Sequence, residues 1–397
     1  MGTTKVCTLM ADVSSARPEI LGVGICPSQG LRRGVVIDVQ SAVEAIAASL
    51  RRAEQQSGFK AISAFVGIAC AHILSSNNHA VVAVRRPNSV ISAEDVERVI
   101  DGARVIQLPP DQEILHVIPH HFVVDGMDGI RDPVGMVGRR LEIEANIVTG
   151  PVTSIHNLVR CVESVDLELD GLVLEPLAAG QAVLTDEERE LGSMVVDVGG
   201  GTTDAAVFRD GAVVHACVIP VGGHQISNDL AFGLRATLAV AEELKIRYGS
   251  TISRARPEGE TVSAPAYGRD DNQLIEQRTI AEIIDARLAE TFELVRTEIA
   301  RAGFGESYPA GVVVTGGSAQ ITGAPALASE VFGVPARLGA PTGLHGLADA
   351  VRGPAFSTSV GLLAWGREQL PPASTRLPQG VALFGHGLMT WLRNFFP

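Results

Sequence analysis

Along the chain, runs of β-branched and apolar residues alternate with stretches whose apolar positions recur every three to four residues. That alternation predicts α/β architecture built from crossover units. It comes in two halves. Residues 2–10 read Gly-Thr-Thr-Lys-Val-Cys-Thr-Leu-Met and residues 201–208 read Gly-Thr-Thr-Asp-Ala-Ala-Val-Phe, so a Gly-Thr-Thr turn feeding an apolar strand occurs twice. The repeat predicts two related lobes. Inside the first, Val96, Val99, Ile100 and Ala103 keep helical spacing over residues 92–107, opened by Ser-Ala-Glu-Asp, a good helix start. Strand-like runs at 80–84 and 114–124 flank it, which predicts a small α+β domain inserted at 70–147 into a first lobe made of 1–69 and 148–194. The second lobe is predicted over 195–221 and 288–368, with its own insertion at 222–287 in which the polar, Pro- and Gly-bearing residues 254–272 form a surface loop or hairpin. Pro371, Pro372 and Pro378 predict an extended linker over 369–387, and a short last segment, 388–397, follows.

Composition narrows the function classes. A length of 397 residues allows two to four domains, and 46% hydrophobic residues supply enough apolar surface to order them. The net charge of −13 argues against nucleic acid or an anionic lipid surface as a partner held by bulk electrostatics, so any membrane contact must be local and apolar. The apolar run 64–71 is predicted to be a buried strand, and no run reaches the ~18 residues that span a bilayer. No basic stretch followed by an apolar one opens the chain, so no secretory signal is expected. The five cysteines form no CxxC pair and no cluster with histidines, as expected of small buried thiols in a reducing cytoplasm.

Three segments carry candidate chemistry. In Val195-Val196-Asp197-Val198-Gly199-Gly200-Gly201-Thr202-Thr203-Asp204, two strands are joined by three glycines. Such a turn lets backbone N–H groups approach phosphate oxygens, with threonine hydroxyls as further donors and Asp197 placed to hold a hydrated Mg²⁺. A plain glycine hairpin is the competing reading, and the carboxylates at both ends argue against it. In Val312-Val313-Val314-Thr315-Gly316-Gly317-Ser318, a buried strand ends in paired glycines about 110 residues later, a pattern that by itself also fits an ordinary strand-to-helix turn. Only three of the 32 basic residues are lysines, and two of them, Lys5 and Lys245, sit beside these features. Where a compact point charge is needed, arginine does not replace lysine. Ordinary helix-surface charge is the alternative for Lys245.

With these segments in place, the chain resembles the FtsA family of actin-like ATPases. The resemblance covers nearly the whole sequence and includes Gly22-Val23-Gly24 with Cys26-Pro27-Ser28, His116-Val117-Ile118-Pro119, Asp132-Pro133-Val134-Gly135-Met136 and Leu184-Thr185-Asp186-Glu187-Glu188-Arg189-Glu190-Leu191-Gly192. It implies an actin-like two-lobe fold of duplicated ribonuclease-H-like domains, with a small SHS2-type insertion at 70–147. It implies ATP and Mg²⁺ as cofactors: Gly2, Thr3, Thr4 and Lys5 as the tail of the first phosphate loop, Asp197 through Asp204 as the second, Glu242 and Lys245 on the helix touching adenosine, and Gly316, Gly317 and Ser318 as the adenosine turn. Glu175, in Leu174-Glu175-Pro176-Leu177-Ala178-Ala179, is the implied water-positioning glutamate, with a structural role before a proline-started helix as the alternative. The family pattern carries an apolar strand and an acidic residue just before the first Gly-Thr turn. This sequence opens at Met1-Gly2, so the first lobe is expected to be one strand short, through a late start or a truncation, and Mg²⁺ to rest on Asp197 and Asp204.

The implied function is that of a cell division adaptor that anchors FtsZ filaments to the cytoplasmic face of the inner membrane at the division site. Its implied partners are the FtsZ C-terminal peptide, through Arg278 and Arg287 on the second insertion, other copies of itself in actin-like filaments, and further division proteins through the inserted domain. Residues 388–397 fit this: at 100° per residue Leu388, Met389, Trp391, Leu392, Phe395 and Phe396 share one arc, and Thr390, Arg393 and Asn394 share the other. Behind a Pro-rich tether, that pattern predicts a membrane-targeting amphipathic helix. Two other readings stay open: an actin-like adaptor of type IV pilus assembly, and a sugar kinase of the same superfamily. Whether ATP is turned over or merely held is open as well.

Overall fold

The computed structural model describes residues 1–369 apart from 16, 86–87, 253–258, 269–270 and 306–307. The expected linker and amphipathic helix at 388–397, with Leu388, Trp391, Leu392, Phe395 and Phe396, lie outside the described residues.

The second half is built on a five-stranded sheet in the order Ala212–Ile219, Thr203–Arg209, Ser193–Val198, Val312–Thr315, Ala336–Leu338. The first three strands are antiparallel neighbours and the last three parallel ones. Its central strands are buried on both faces, which explains why they read as continuous apolar runs. Alternation sends Met194, Val196 and Val207 into one core, with the long helix Gln277–Arg301. Val195, Ala206 and Phe208 go into another, shared with the first half. The sheet thus stands between two cores and holds the lobes together.

In the first half the strands fall into two groups. Lys5–Asp12, Glu19–Pro27 and the short His345–Gly346 make one sheet, while Ser63–Ile68 and Glu168–Leu174 make a parallel pair. Strands Lys5–Asp12 and Ser63–Ile68 each end their sheet. A slot of about 620 Å³ lies between them, lined from one side by Val6, Leu9 and Ala11 and from the other by Phe65 and Val66.

The region from Leu74 to Pro151 carries a four-stranded antiparallel sheet in the order Leu74–Ala83, Arg140–Pro151, Gln112–Val124, Met127–Ile130. The helix Ala93–Arg104 covers it, starting at a capping box in which Ser92 and Asp95 bond each other's backbone N–H groups. Val99 and Ala103 meet the sheet in a core of their own.

Several expected boundaries fall inside single elements. Strand Arg140–Pro151 runs through 147/148, strand Ser193–Val198 through 194/195, and helix Gln277–Arg301 through 287/288. The helix buries Ile280, Ile284, Leu288, Phe292, Val295 and Ile299 in one stripe, so nothing in its packing interrupts it there. Within 254–272, the described part enters an antiparallel hairpin of Thr261–Pro265 with Asn272–Glu276.

Candidate functional site

The two Gly-Thr-Thr turns meet. A Cβ built on Gly200 would lie 2.1 Å from Thr4 Oγ1, and one on Gly201 would lie 2.4 Å from Thr3 Oγ1, so neither position has room for a side chain. Each turn is closed by its own backbone: the N–H of Gly2 donates to the Lys5 carbonyl at 3.0 Å and that of Gly199 to the Thr202 carbonyl at 2.9 Å. Gly316 is bound twice over to glycine. Its φ of +94° disfavours any side chain, and a Cβ there would come within 2.3 Å of Asp197 Oδ1. Around these turns opens a cavity of about 690 Å³ between the lobes, large enough for a nucleotide-sized ligand.

Two buried carboxylates stand at its base, Asp197 in the lining and Asp204 behind it. Asp197 and Asp204 face each other across neighbouring strands. Burial pushes the Asp197 carboxyl up to about 6, opposed by a hydrogen bond that Thr358 Oγ1 donates to Asp197 Oδ2 at 2.8 Å and reinforced by Glu175 nearby. Burial also raises Asp204 well above the ordinary carboxylate range, with Glu175 and Asp197 adding to it. Thr202 Oγ1 donates to Asp204 Oδ2 at 3.2 Å, while Asp204 Oδ1 is buried with no hydrogen-bond partner. An orphaned carboxylate oxygen beside a second buried carboxylate is a donor set suited to a hydrated divalent cation. Glu175 opens the helix Glu175–Val183, and its Oε1 lies 3.4 Å from the Met1 amino group.

Lys5 is the nearest cation. Its Nζ donates to the Ala355 carbonyl at 2.7 Å and stands 3.7 Å over the Phe356 ring, and burial lowers its pKa. On the opposite wall, Lys245 Nζ is 2.7 Å from Glu242 Oε2 and donates to Ser227 Oγ and the Gly223 carbonyl. Lys245 is 9% exposed, which sets aside the reading of ordinary surface charge. Ser318 Oγ reaches the Gly199 carbonyl at 3.4 Å, tying the third turn to the second.

Of the residues singled out in the sequence, Gly2, Thr3, Thr4, Lys5, Glu175, Asp197, Gly199, Gly200, Glu242, Lys245, Gly316, Gly317 and Ser318 all line this one cavity. Gly201, Thr202, Thr203 and Asp204 stand behind the wall: Thr203 Oγ1 donates to the Val221 carbonyl at 2.8 Å and supports the turn from outside. Arg278 and Arg287 lie away from it on helix Gln277–Arg301. Arg278 Nε is 3.0 Å from Glu282 Oε1, and Arg287 bridges Asp229 and Glu290. Sequence reading missed His224, Arg247 and Thr358 as wall residues. Thr358 sits in Ser357-Thr358-Ser359 at the start of the helix Ser357–Gln369, a run that in sequence reads only as a helix start.

Two lobes enclosing a cleft, each presenting a glycine-threonine turn to it, define an actin-like protein. The structure of a PilM–PilN type IV pilus biogenesis complex matches with a TM-score of 0.64 at 16% identity, over 92% of this chain and 97% of that one. MreB5 of Spiroplasma citri bound to ADP matches with 0.51 at 14% identity, over 93% and 95%. Both likenesses are of fold. Sequence supplies the family: the model described as "Cell division protein FtsA" matches residues 194–361, and that of the "SHS2 domain inserted in FTSA" matches 70–149. Cell division protein FtsA of Pseudomonas aeruginosa is 42% identical over 370 residues, 93% of this chain and 88% of the relative. The chain belongs to the FtsA family of cell division proteins.

Proposed function

We propose that this chain binds ATP with Mg²⁺ in the interlobe cleft and serves as the adaptor that ties FtsZ filaments to the inner face of the cytoplasmic membrane. The observation that carries the nucleotide half is the close approach of the two Gly-Thr-Thr turns, Gly200 against Thr4 and Gly201 against Thr3, beside the buried Asp197. Backbone N–H groups and threonine hydroxyls from both lobes would surround the phosphates, and Asp197 and Asp204 would hold the hydrated metal, which neutralises phosphate charge when bound. Glu242 and Lys245 would flank the adenosine side with Gly316 and Gly317. Glu175 would orient a water at the phosphate end. MreB5, a structure of the same fold, was solved with ADP, which supports the choice of ligand. Titration with MgATP should give one site per chain, and Asp197→Ala should weaken it at least tenfold; equal affinity in the two proteins would refute the assignment.

The adaptor half rests on family membership and on the amphipathic pattern of residues 388–397. No helix among the described residues is long and apolar enough to cross a membrane. The FtsZ C-terminal peptide is placed on the second insertion near Arg278 and Arg287. Because both arginines already pair with acids of their own chain, an acidic peptide would exchange partners with Glu282, Asp229 and Glu290 rather than meet bare cations. Charge reversal at the more exposed Arg278 tests this with the least damage: Arg278→Glu should lower peptide affinity severalfold, and unchanged affinity would put the peptide elsewhere.

A further inference from the structure

We propose that His120, His121 and Glu144 form a binding site for a borderline transition-metal dication of the Zn²⁺ type, placed where the inserted domain meets the second lobe. In a regular strand two consecutive side chains point to opposite faces. Strand Gln112–Val124 is not regular here: Pro119 pairs with Ala145 and His121 with the very next partner, Glu144, so His120 is an extra residue in a β-bulge. Pro119 has no N–H to lose from the ladder, which suits it to that position. The bulge turns both imidazoles to one side, and their Nδ1 atoms face each other at 3.3 Å.

The third ligand is close. Glu144 Oε2 is 3.5 Å from His121 Nε2, and one ligand atom from each of the three residues fits within 4.8 Å of the others. Asp128, on the neighbouring strand Met127–Ile130, lies 2.9 Å from His121 Nε2 with a largely exposed side chain, a second carboxylate beside the cluster. His120 Nε2 is buried without a hydrogen-bond partner, with Asp210 of the second lobe 3.9 Å away. Two neutral imidazoles with one or two carboxylates select Zn²⁺, Ni²⁺ or Cu²⁺ over Mg²⁺ and Ca²⁺, which keep to oxygen. Asp210 lies in the tight turn between strands Thr203–Arg209 and Ala212–Ile219, so an ion here would brace the insertion against the hairpin that ends in the cleft.

The test uses the full chain without a polyhistidine tag. Calorimetric titration with ZnCl₂ should find one site per chain tighter than the residual surface sites, and Co²⁺ in its place should give the visible absorption of a tetrahedral centre. His121→Gln and Glu144→Gln should each lower Zn²⁺ affinity at least tenfold. His156→Gln, which removes an imidazole paired with Glu113 elsewhere, should leave it unchanged. Glu144 is substantially exposed, so its variant keeps the test alive if a histidine variant fails to fold. Absence of a discrete Zn²⁺ site, or equal affinity in all three variants, overturns the proposal.

Discussion

Asp197 is ionised at some expense to the ligand-free fold. Its carboxyl sits near 6 in the folded protein against 3.8 as its ordinary value, because burial penalises the charge. The folded state therefore holds the proton more tightly than the unfolded chain. The stability this contributes is complete below pH ~4, declines as pH rises toward 6, and is lost above it, a difference of about 3 kcal/mol. Asp197→Asn should remove that decline. Without ligand, its thermal midpoint at pH 8 should exceed that of the natural protein, with the gap closing by pH 4, while its MgATP affinity falls. A midpoint below the natural protein's at pH 8 would mean that the carboxylate is stabilised by contacts, not strained by burial. The lining around Asp197 was largely legible in sequence, because glycine and threonine beside a strand-end aspartate answer a local demand for bare backbone where the two turns meet. Thr358, which donates to Asp197, was not, since it reaches the cleft from 161 residues away.

Among the elements, helix Ser357–Gln369 supplies one wall of the cleft through Thr358 and Ser359. It packs along helix Glu175–Val183 at very close range: a Cβ on Gly361 would lie 1.7 Å from the Ala178 carbonyl oxygen. Gly361→Ala must push the two helices apart, at about 1–3 kcal/mol. The same displacement carries Thr358 away from Asp197, so MgATP affinity should drop along with the denaturation midpoint. A variant that loses stability yet keeps full affinity would separate the helix from the site. Helix Ala93–Arg104 could be read in advance because its capping box and spacing are local. The far end of the inserted domain carries no such local mark. Strand Arg140–Pro151 gives Leu141, Ile143, Ala145 and Ile147 to one core and Val148 to another, and no change of residue type marks the crossing.

For the whole molecule, the duplicated turn was enough to read two lobes, since a repeat of half-chain period implies a repeat of the unit that carries it. The membrane anchoring proposed for residues 388–397 would depend on how many chains act together. Arg393 is the sole cation within that segment, so attraction to anionic lipid would add only about 1 kcal/mol to the contribution of its apolar residues. Firm attachment would then need many tails at once, as neighbours in a filament would supply. Vesicle co-sedimentation should rise steeply with protein concentration and vanish in Trp391→Glu. Tight binding that is independent of concentration would show that one tail suffices.

The wall shared by the slot and the cleft gives the protein a built-in reporter. Cys7 lines both cavities and is half-buried, whereas Cys26, Cys70, Cys161 and Cys217 are buried. Burial raises its thiol pKa, opposed by a hydrogen bond from Ser359 and by the Lys5 charge, so alkylation should be slow at neutral pH and quicken with alkali. In the folded protein a maleimide should mark Cys7 ahead of the other four thiols. MgATP should retard that reaction from the cleft side, making the rate at one sulfur atom a direct readout of occupancy.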